Sequence, residues 1–243
     1  MKTRIDQLMV KQGLVTSRSQ AENWIKLSKV KADGRVVAKS GTFVRDDAVL
    51  ELLATEQFVS RAGLKLASVA KLLKLDFRDK TVLDVGSSTG GFTDYSLQNG
   101  AKKVYAVDVG TEQLHPSLRG NENIELHEKT DIRDFYLQEA ERPDIVVIDV
   151  SFISLREILP HIASELARPD TQVVAMVKPQ FEAGKGQTNK GIIKNEAVRR
   201  QILKDFEIWV KELFVVIDKR DSDVSGAKGN TERFYLLQPV VRR

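Results

Sequence analysis

Along residues 1–54 the apolar positions fall into two short helical runs. Ile5, Leu8 and Met9 make the first, and Ala21, Trp24 and Ile25 make the second behind the capping candidate Ser17. Lys29-Val30-Lys31 and Val36-Val37 flank Asp33-Gly34, a two-residue hairpin signal, and a last extended stretch covers 44–53. Residues 55–60 read as a short linker. From Arg61 the pattern changes: Leu64, Ala67, Val69, Ala70, Leu72 and Leu73 line one face of a helix ending near Leu75. Apolar strands at 81–85, 103–109, 124–127, 144–150 and 172–177 then alternate with helices near 91–98, 154–166 and 196–213. Strands at 214–218 and 233–238 follow each other without a helix, hence as an antiparallel hairpin. The whole predicts an α/β chain: a Rossmann-like, doubly wound sheet over 61–243 with an antiparallel terminal hairpin, preceded by a small domain over 1–54.

Charge sharpens this division. Residues 1–54 hold ten basic and six acidic side chains, which accounts for the chain's formal net charge of +4 and leaves the rest balanced. A small basic module on a neutral body suits a part that grips a polyanion and a part that does chemistry. Arg4-Ile5-Asp6, Leu8, Ser17-Arg18-Ser19-Gln20-Ala21, Val30 and Gly34 resemble the alpha-L RNA-binding motif first seen in a small-subunit ribosomal protein. That resemblance implies phosphate contacts from basic residues at helix starts and on the hairpin, here Arg4, Lys11, Arg18, Lys29 and Lys31.

The 243 residues include no cysteine and three histidines, which excludes a disulfide scaffold, a thiolate metal cluster and a cysteine nucleophile, and disfavours a histidine-built zinc site. No apolar run approaches the roughly 20 residues of a membrane helix. The opening MKTRIDQL lacks the apolar stretch of a signal peptide, so a cytoplasmic protein without bound metal is the expectation.

The first strand of the larger part runs into Asp84-Val85-Gly86-Ser87-Ser88-Thr89-Gly90-Gly91-Phe92-Thr93. Small residues after a strand let the backbone turn sharply against a ligand. The glycines do not follow G-x-G-x-x-G, which weakens a pyrophosphate reading. They suit S-adenosylmethionine, which has no phosphate but needs a tight loop at its methionine end. Asp84, Gly86, Ser87, Ser88, Gly90, Gly91 and Phe92 are therefore candidate cofactor residues. Asp108, about twenty residues on, is placed to accept from ribose hydroxyls, and Asp131 after the third strand to face adenine. A terminal hairpin is also the variation expected of a methyltransferase sheet.

Methylation of an exocyclic amine usually calls for an (Asp/Asn)-Pro-Pro-aromatic run after the fourth strand; here it is Asp149-Val150-Ser151-Phe152. Carbon-5 methylation of pyrimidines needs the missing cysteine. Attack by an oxygen, or chemistry on a small molecule, remains. An oxygen must lose its proton, and Lys178, Asp149, Lys65 and Glu232 lie at or near the active edge. Residues 59–66, 84–93, 149–154 and 177–182 and Gly229-Asn230-x-Glu232 resemble the TlyA family, proteins often labelled hemolysins and similar to FtsJ-type ribosomal RNA 2′-O-methyltransferases. The resemblance implies a catalytic tetrad of Lys65, Asp149, Lys178 and Glu232, and methylation of cytidine ribose in ribosomal RNA. In the roles we assign, Lys178 is the general base, its pKa lowered by Lys65 and burial. Asp149 orients it, while Lys65 and Glu232 position the hydroxyl.

The polar, glycine-rich stretch 181–191 is expected to form a mobile loop, with Lys185 and Lys190 as candidate phosphate contacts. His115, His127 and His161 group with no motif and read as structural. The rival readings are a non-catalytic RNA-binding protein, an indirectly acting hemolysin and a pseudouridine synthase; the intact glycine loop speaks against the first and third.

Overall fold

A computed structural model describes residues 2–15, 18–26, 28–53, 58–184, 188, 192–193, 195–224 and 230–240. The chain divides into two compact units, Met1–Arg61 and Ala62–Arg243. Ser17, residues 55–57 of the expected linker, Lys185, Lys190 and residues 225–229 lie outside the described residues.

In the first unit α1 (Ile5–Lys11) and α2 (Arg18–Lys26) bury the two apolar runs, Ile5, Leu8 and Met9 against Ala21, Trp24 and Ile25. A strand β1 (Lys2–Arg4), which the pattern did not show, precedes α1, and the hairpin strands β2 (Val30–Ala32) and β3 (Arg35–Val36) turn where expected. Asp33 (φ 48°) and Gly34 (φ 75°) are both left-handed, the turn whose twist matches a strand pair. The single stretch expected at 44–53 is instead two strands, β4 (Phe43–Arg45) and β5 (Leu50–Leu52), parted by a turn at Asp46-Asp47. They serve different sheets: β4 pairs with β1 and β5 with β2. Two charged residues in succession break the apolar alternation at that point.

The second unit opens with α3 (Arg61–Ala70) and continues β6 (Thr81–Val85), α4 (Gly91–Gln98), β7 (Lys103–Val107), β8 (Ile124–His127), β9 (Ile145–Ile148), α5 (Leu159–His161), β10 (Gln172–Val177), α6 (Pro179–Glu182), α7 (Glu196–Val210), β11 (Phe214–Asp221) and β12 (Arg233–Pro239). Seven strands form one sheet in the order β11-β12-β10-β9-β6-β7-β8, with β6 to β10 parallel and β12 antiparallel to both its neighbours. The central strands are apolar without alternation because both faces are covered. Val146, Ile148, Val173, Ala175 and Tyr235 face a core shared with Phe206 and Val210 of α7. On the opposite face Phe234 meets Phe92 of α4, ring centroids 6.1 Å apart.

Helix ends differ from the pattern. α3 stops at Ala70, followed by a turn with Lys74 at φ 55°. The helix expected over 154–166 is three pieces: a 3₁₀ turn at Leu155–Glu157, α5, and a wide π turn at Ile162–Leu166. Pro160 has no N–H to donate, so a continuous α-helix would lose a bond there and the chain starts a new turn instead. Among the described residues no helix is long and apolar enough to cross a membrane.

Candidate active site

The parallel strands end on one rim of the sheet, and β6 marks the point where the chain, having placed β7 and β8 on one side, places β9 and β10 on the other. Loops leaving adjacent strands diverge at such a switch and leave a crevice. Gly86, just past β6, has φ 78°, and a Cβ there would stand 3.0 Å from the carbonyl oxygen of Asp149. Only glycine allows the ends of β6 and β9 to come so close. The Ser88 amide donates to Asp108 Oδ2 (2.8 Å), the Gly110 amide to Oδ1 (2.7 Å), and Ser88 Oγ to Gln113 (2.9 Å). These bonds tie the glycine loop to the end of β7.

The crevice holds a cavity of about 380 Å³ lined by Gly86, Ser88, Asp108, Gln113, Asp131 and Phe152, among others. A second space of about 150 Å³ is bounded by Asp84, Ser87, Phe92, Asp149, Ser151 and Lys178, and shares Gly86, Ser88, Asp149 and Ser151 with the first. Gly90 and Gly91 line neither. Gly90 caps α4 at φ 86°, where a Cβ would meet Leu118 at 2.6 Å and Leu114 at 2.7 Å, so it shapes the loop by packing rather than by facing the cavity.

Asp84 is fully buried. Its Oδ2 accepts from the Thr93 amide (2.8 Å) and hydroxyl (2.7 Å), while Oδ1 has no hydrogen-bond partner among the described residues. Burial pushes this carboxyl up to about 7; nearby Asp149 and Asp108 push the same way, against the Thr93 bonds. Asp131 caps the turn at Ile132–Asp134 and is held bidentately by Arg133 (3.0 and 2.6 Å), which keeps its carboxyl below the usual range.

The four residues picked out for proton chemistry come together as two ion pairs. Lys178, directly after β10, lies 2.6 Å from Asp149 Oδ1 and donates to Ser151 Oγ at 2.7 Å. Lys65, on α3, lies 2.5 Å from Glu232. Val177 faces Arg233 across the β10–β12 ladder, so one further step of that register sets Glu232 opposite Lys178. The side chains are 4–15% exposed, so each charge depends on its partner rather than on water.

Two supports lie behind the pairs. Glu182, on α6, accepts from Ser154 Oγ (2.6 Å) and the Leu155 amide (2.7 Å), fastening the segment after β9 to the segment after β10; its burial raises its carboxyl pKa against those bonds. Arg199, on α7, donates to the Thr231 carbonyl (3.2 Å) and to Asp221 (2.8 Å), while the Ser222 amide donates to the Glu232 carbonyl, fixing the start of β12.

Gln113, Ser151, Phe152 and Glu182 were not singled out as site residues from the sequence. Phe152 is 92% exposed with φ 68°, and its ring lies 5.2 Å from that of Phe181. An aromatic three positions after a strand-end acid was the available signal for Phe152; Gln113 sits in an irregular loop with no periodicity to mark it.

The candidate RNA contacts divide. Arg4, through Nε and Nη2 (3.0 and 2.9 Å), and Arg18, through Nη2 (3.0 Å), converge on Asp6, which is wholly buried. They neutralise a carboxylate inside the unit, which the sequence reading, taking all five as phosphate clamps, did not foresee. Lys11 and Lys29 are exposed and Lys31 is half-buried. The histidines have local partners: His115 with Ser117, His127 with Glu125, His161 with the Phe135 carbonyl.

Comparison with known proteins agrees with this geometry. Residues 58–238 match the description of an FtsJ-like methyltransferase, and residues 3–50 that of an S4 domain. The chain is 35% identical to a Mycobacterium tuberculosis protein named 16S/23S rRNA (cytidine-2′-O)-methyltransferase TlyA, covering 100% of this chain and 92% of that one. It is 36% identical to hemolysin A of Brachyspira hyodysenteriae over 98% of this chain and 100% of the relative. A solved hemolysin-type structure from Streptococcus thermophilus superposes with a TM-score of 0.73 at 39% identity, covering 99% of this chain and 89% of that one.

Proposed function

The chain belongs to the FtsJ-like methyltransferase family, and from that premise we propose that it methylates a ribose 2′-hydroxyl, that of a cytidine, in ribosomal RNA with S-adenosylmethionine as donor. The observation that carries this reading is the Lys178–Asp149 pair lining a cavity at the sheet's switch point, with Glu232, the partner of Lys65, brought opposite Lys178 by the β10–β12 register.

The residues present fit the donor. The buried Oδ1 of Asp84 lacks a partner among the described residues and suits the donor's ammonium group; Asp108 and Asp131 line a space large enough for a nucleoside; and Gly86 leaves room that a Cβ would take. Bound there, S-adenosylmethionine would supply a methyl carbon made electrophilic by positive sulfur. A ribose hydroxyl is a weak nucleophile until its proton is taken. In our reading Lys178 accepts that proton, and Asp149 stabilises the ammonium that results. Lys65, steadied by Glu232, orients the hydroxyl and offsets negative charge developing on its oxygen. The S4-type unit holds the RNA, with Lys11, Lys29 and Lys31 facing phosphates and Arg4 and Arg18 chiefly serving Asp6. Such a substrate places the protein's work in the cytoplasm.

The test is incubation of ribosomal subunits with methyl-labelled donor, followed by alkaline hydrolysis. Label in an alkali-resistant dinucleotide is expected, because a blocked 2′-hydroxyl cannot attack the neighbouring phosphodiester. Label released entirely as mononucleotides excludes ribose methylation.

A further inference from the structure

We propose that Ser151 is a positioning residue for Lys178, one that aims the amine at the acceptor hydroxyl; the inference rests on the reading of Lys178 given above. A lysine ammonium has three donor positions on a freely rotating terminus. Ser151 Oγ at 2.7 Å takes one of them, while Asp149 Oδ1 at 2.6 Å balances the charge without the alignment of a hydrogen bond. The Ser151 bond is the aligned contact that sets the amine's direction, and the remaining positions are left for the space that Asp149, Ser151 and Lys178 bound together. Asp149 alone would set the distance of the amine but leave it free to swing about the N···O line.

The placement of Ser151 supports a role in direction rather than folding. The residue is exposed, and among the described residues its hydroxyl bonds to Lys178 and to no other group. It also lines both the larger cavity and the smaller one, which puts it where donor and acceptor sites adjoin. Its own segment is held: Glu182 clamps Ser154 and Leu155 just downstream, and Phe152 turns the backbone through the left-handed region next to it. A serine on a fixed turn can direct a flexible lysine; on a loose one it would follow it.

The test compares Ser151→Ala, Ser151→Thr and Lys178→Ala with the unmodified chain. Misdirecting a proton acceptor while leaving both binding sites whole should lower kcat by about tenfold or more and leave KM for donor and RNA within about twofold. Ser151→Thr, which keeps the hydroxyl, should restore most of the rate. A second readout needs no turnover: in the donor-free protein, labelling of Lys178 by an amine-reactive reagent, quantified by mass spectrometry, should quicken several-fold in Ser151→Ala and not in Ser151→Thr. Wild-type kcat and labelling in Ser151→Ala overturn the proposal, as does a lost rate that threonine fails to restore while labelling stays unchanged. Full turnover in Lys178→Ala would instead remove the reading on which the proposal rests.

Discussion

Asp84 offers a thermodynamic test of the site that requires neither donor nor RNA. Its carboxyl is buried with one oxygen unpartnered among the described residues, and burial pushes its pKa in the folded chain up to about 7 from the 3.8 of an unperturbed aspartate. The folded state therefore keeps this proton at pH values where the unfolded chain has released it. The group's stabilising contribution is fully present below the unfolded pKa and is lost as pH rises through about 7. Between about pH 5.5 and about pH 8.5 this linkage removes about 2 kcal/mol from the stability of the second unit. Asp84→Asn keeps the shape, lets the amide oxygen accept from Thr93, and cannot ionise. Its unfolding free energy should lack that portion of the pH dependence. The assay is urea unfolding at the two pH values, followed by Trp209 fluorescence in a Trp24→Phe background so that only the second unit reports. If the wild-type and Asp84→Asn chains lose stability equally between these pH values, Asp84 is not the buried, late-ionising group described.

Other predictions address separate links. Lys178→Ala should abolish methyl transfer, at least about 1,000-fold, while donor affinity by calorimetry changes by less than about threefold, since a proton acceptor contributes to the chemical step and not to seating the donor. Gly90→Ala adds a Cβ at φ 86° that meets two leucines, so urea unfolding of the second unit should show a loss of about 2–4 kcal/mol. Asp6→Asn leaves Arg4 and Arg18 without their shared counter-charge. It should lower the stability of the first unit by about 1–3 kcal/mol, read by Trp24 fluorescence in a Trp209→Phe background.

The sheet and its order of elements were legible because continuous apolar strands between amphipathic helices leave few topologies, and the Asp33-Gly34 turn because its chemistry is local. Lys178, Asp149 and Glu232 were legible as polar types at strand ends, and Lys65 as one on the helix leading into the sheet. Their partition into Lys65 with Glu232 and Lys178 with Asp149 was not, since it depends on the register of β12 against β10 and on where α3 lies, which are set by packing. Arg4 and Arg18 show the limit of charge reading: a basic side chain announces its sign, not whether its partner is a ligand or an acid of its own fold. The break at Pro160 was written in the sequence, and apolar periodicity on either side outweighed it in the helix assignment.

β12 runs against its neighbours, so its first residues arrive at the rim where the parallel strands finish. Glu232 thereby brings a group encoded near the far end of the chain to a lysine encoded in its first third. That delivery depends on strand pairing, so a one-residue slip of β12 against β10 would turn Glu232 to the other face of the sheet and away from Lys65.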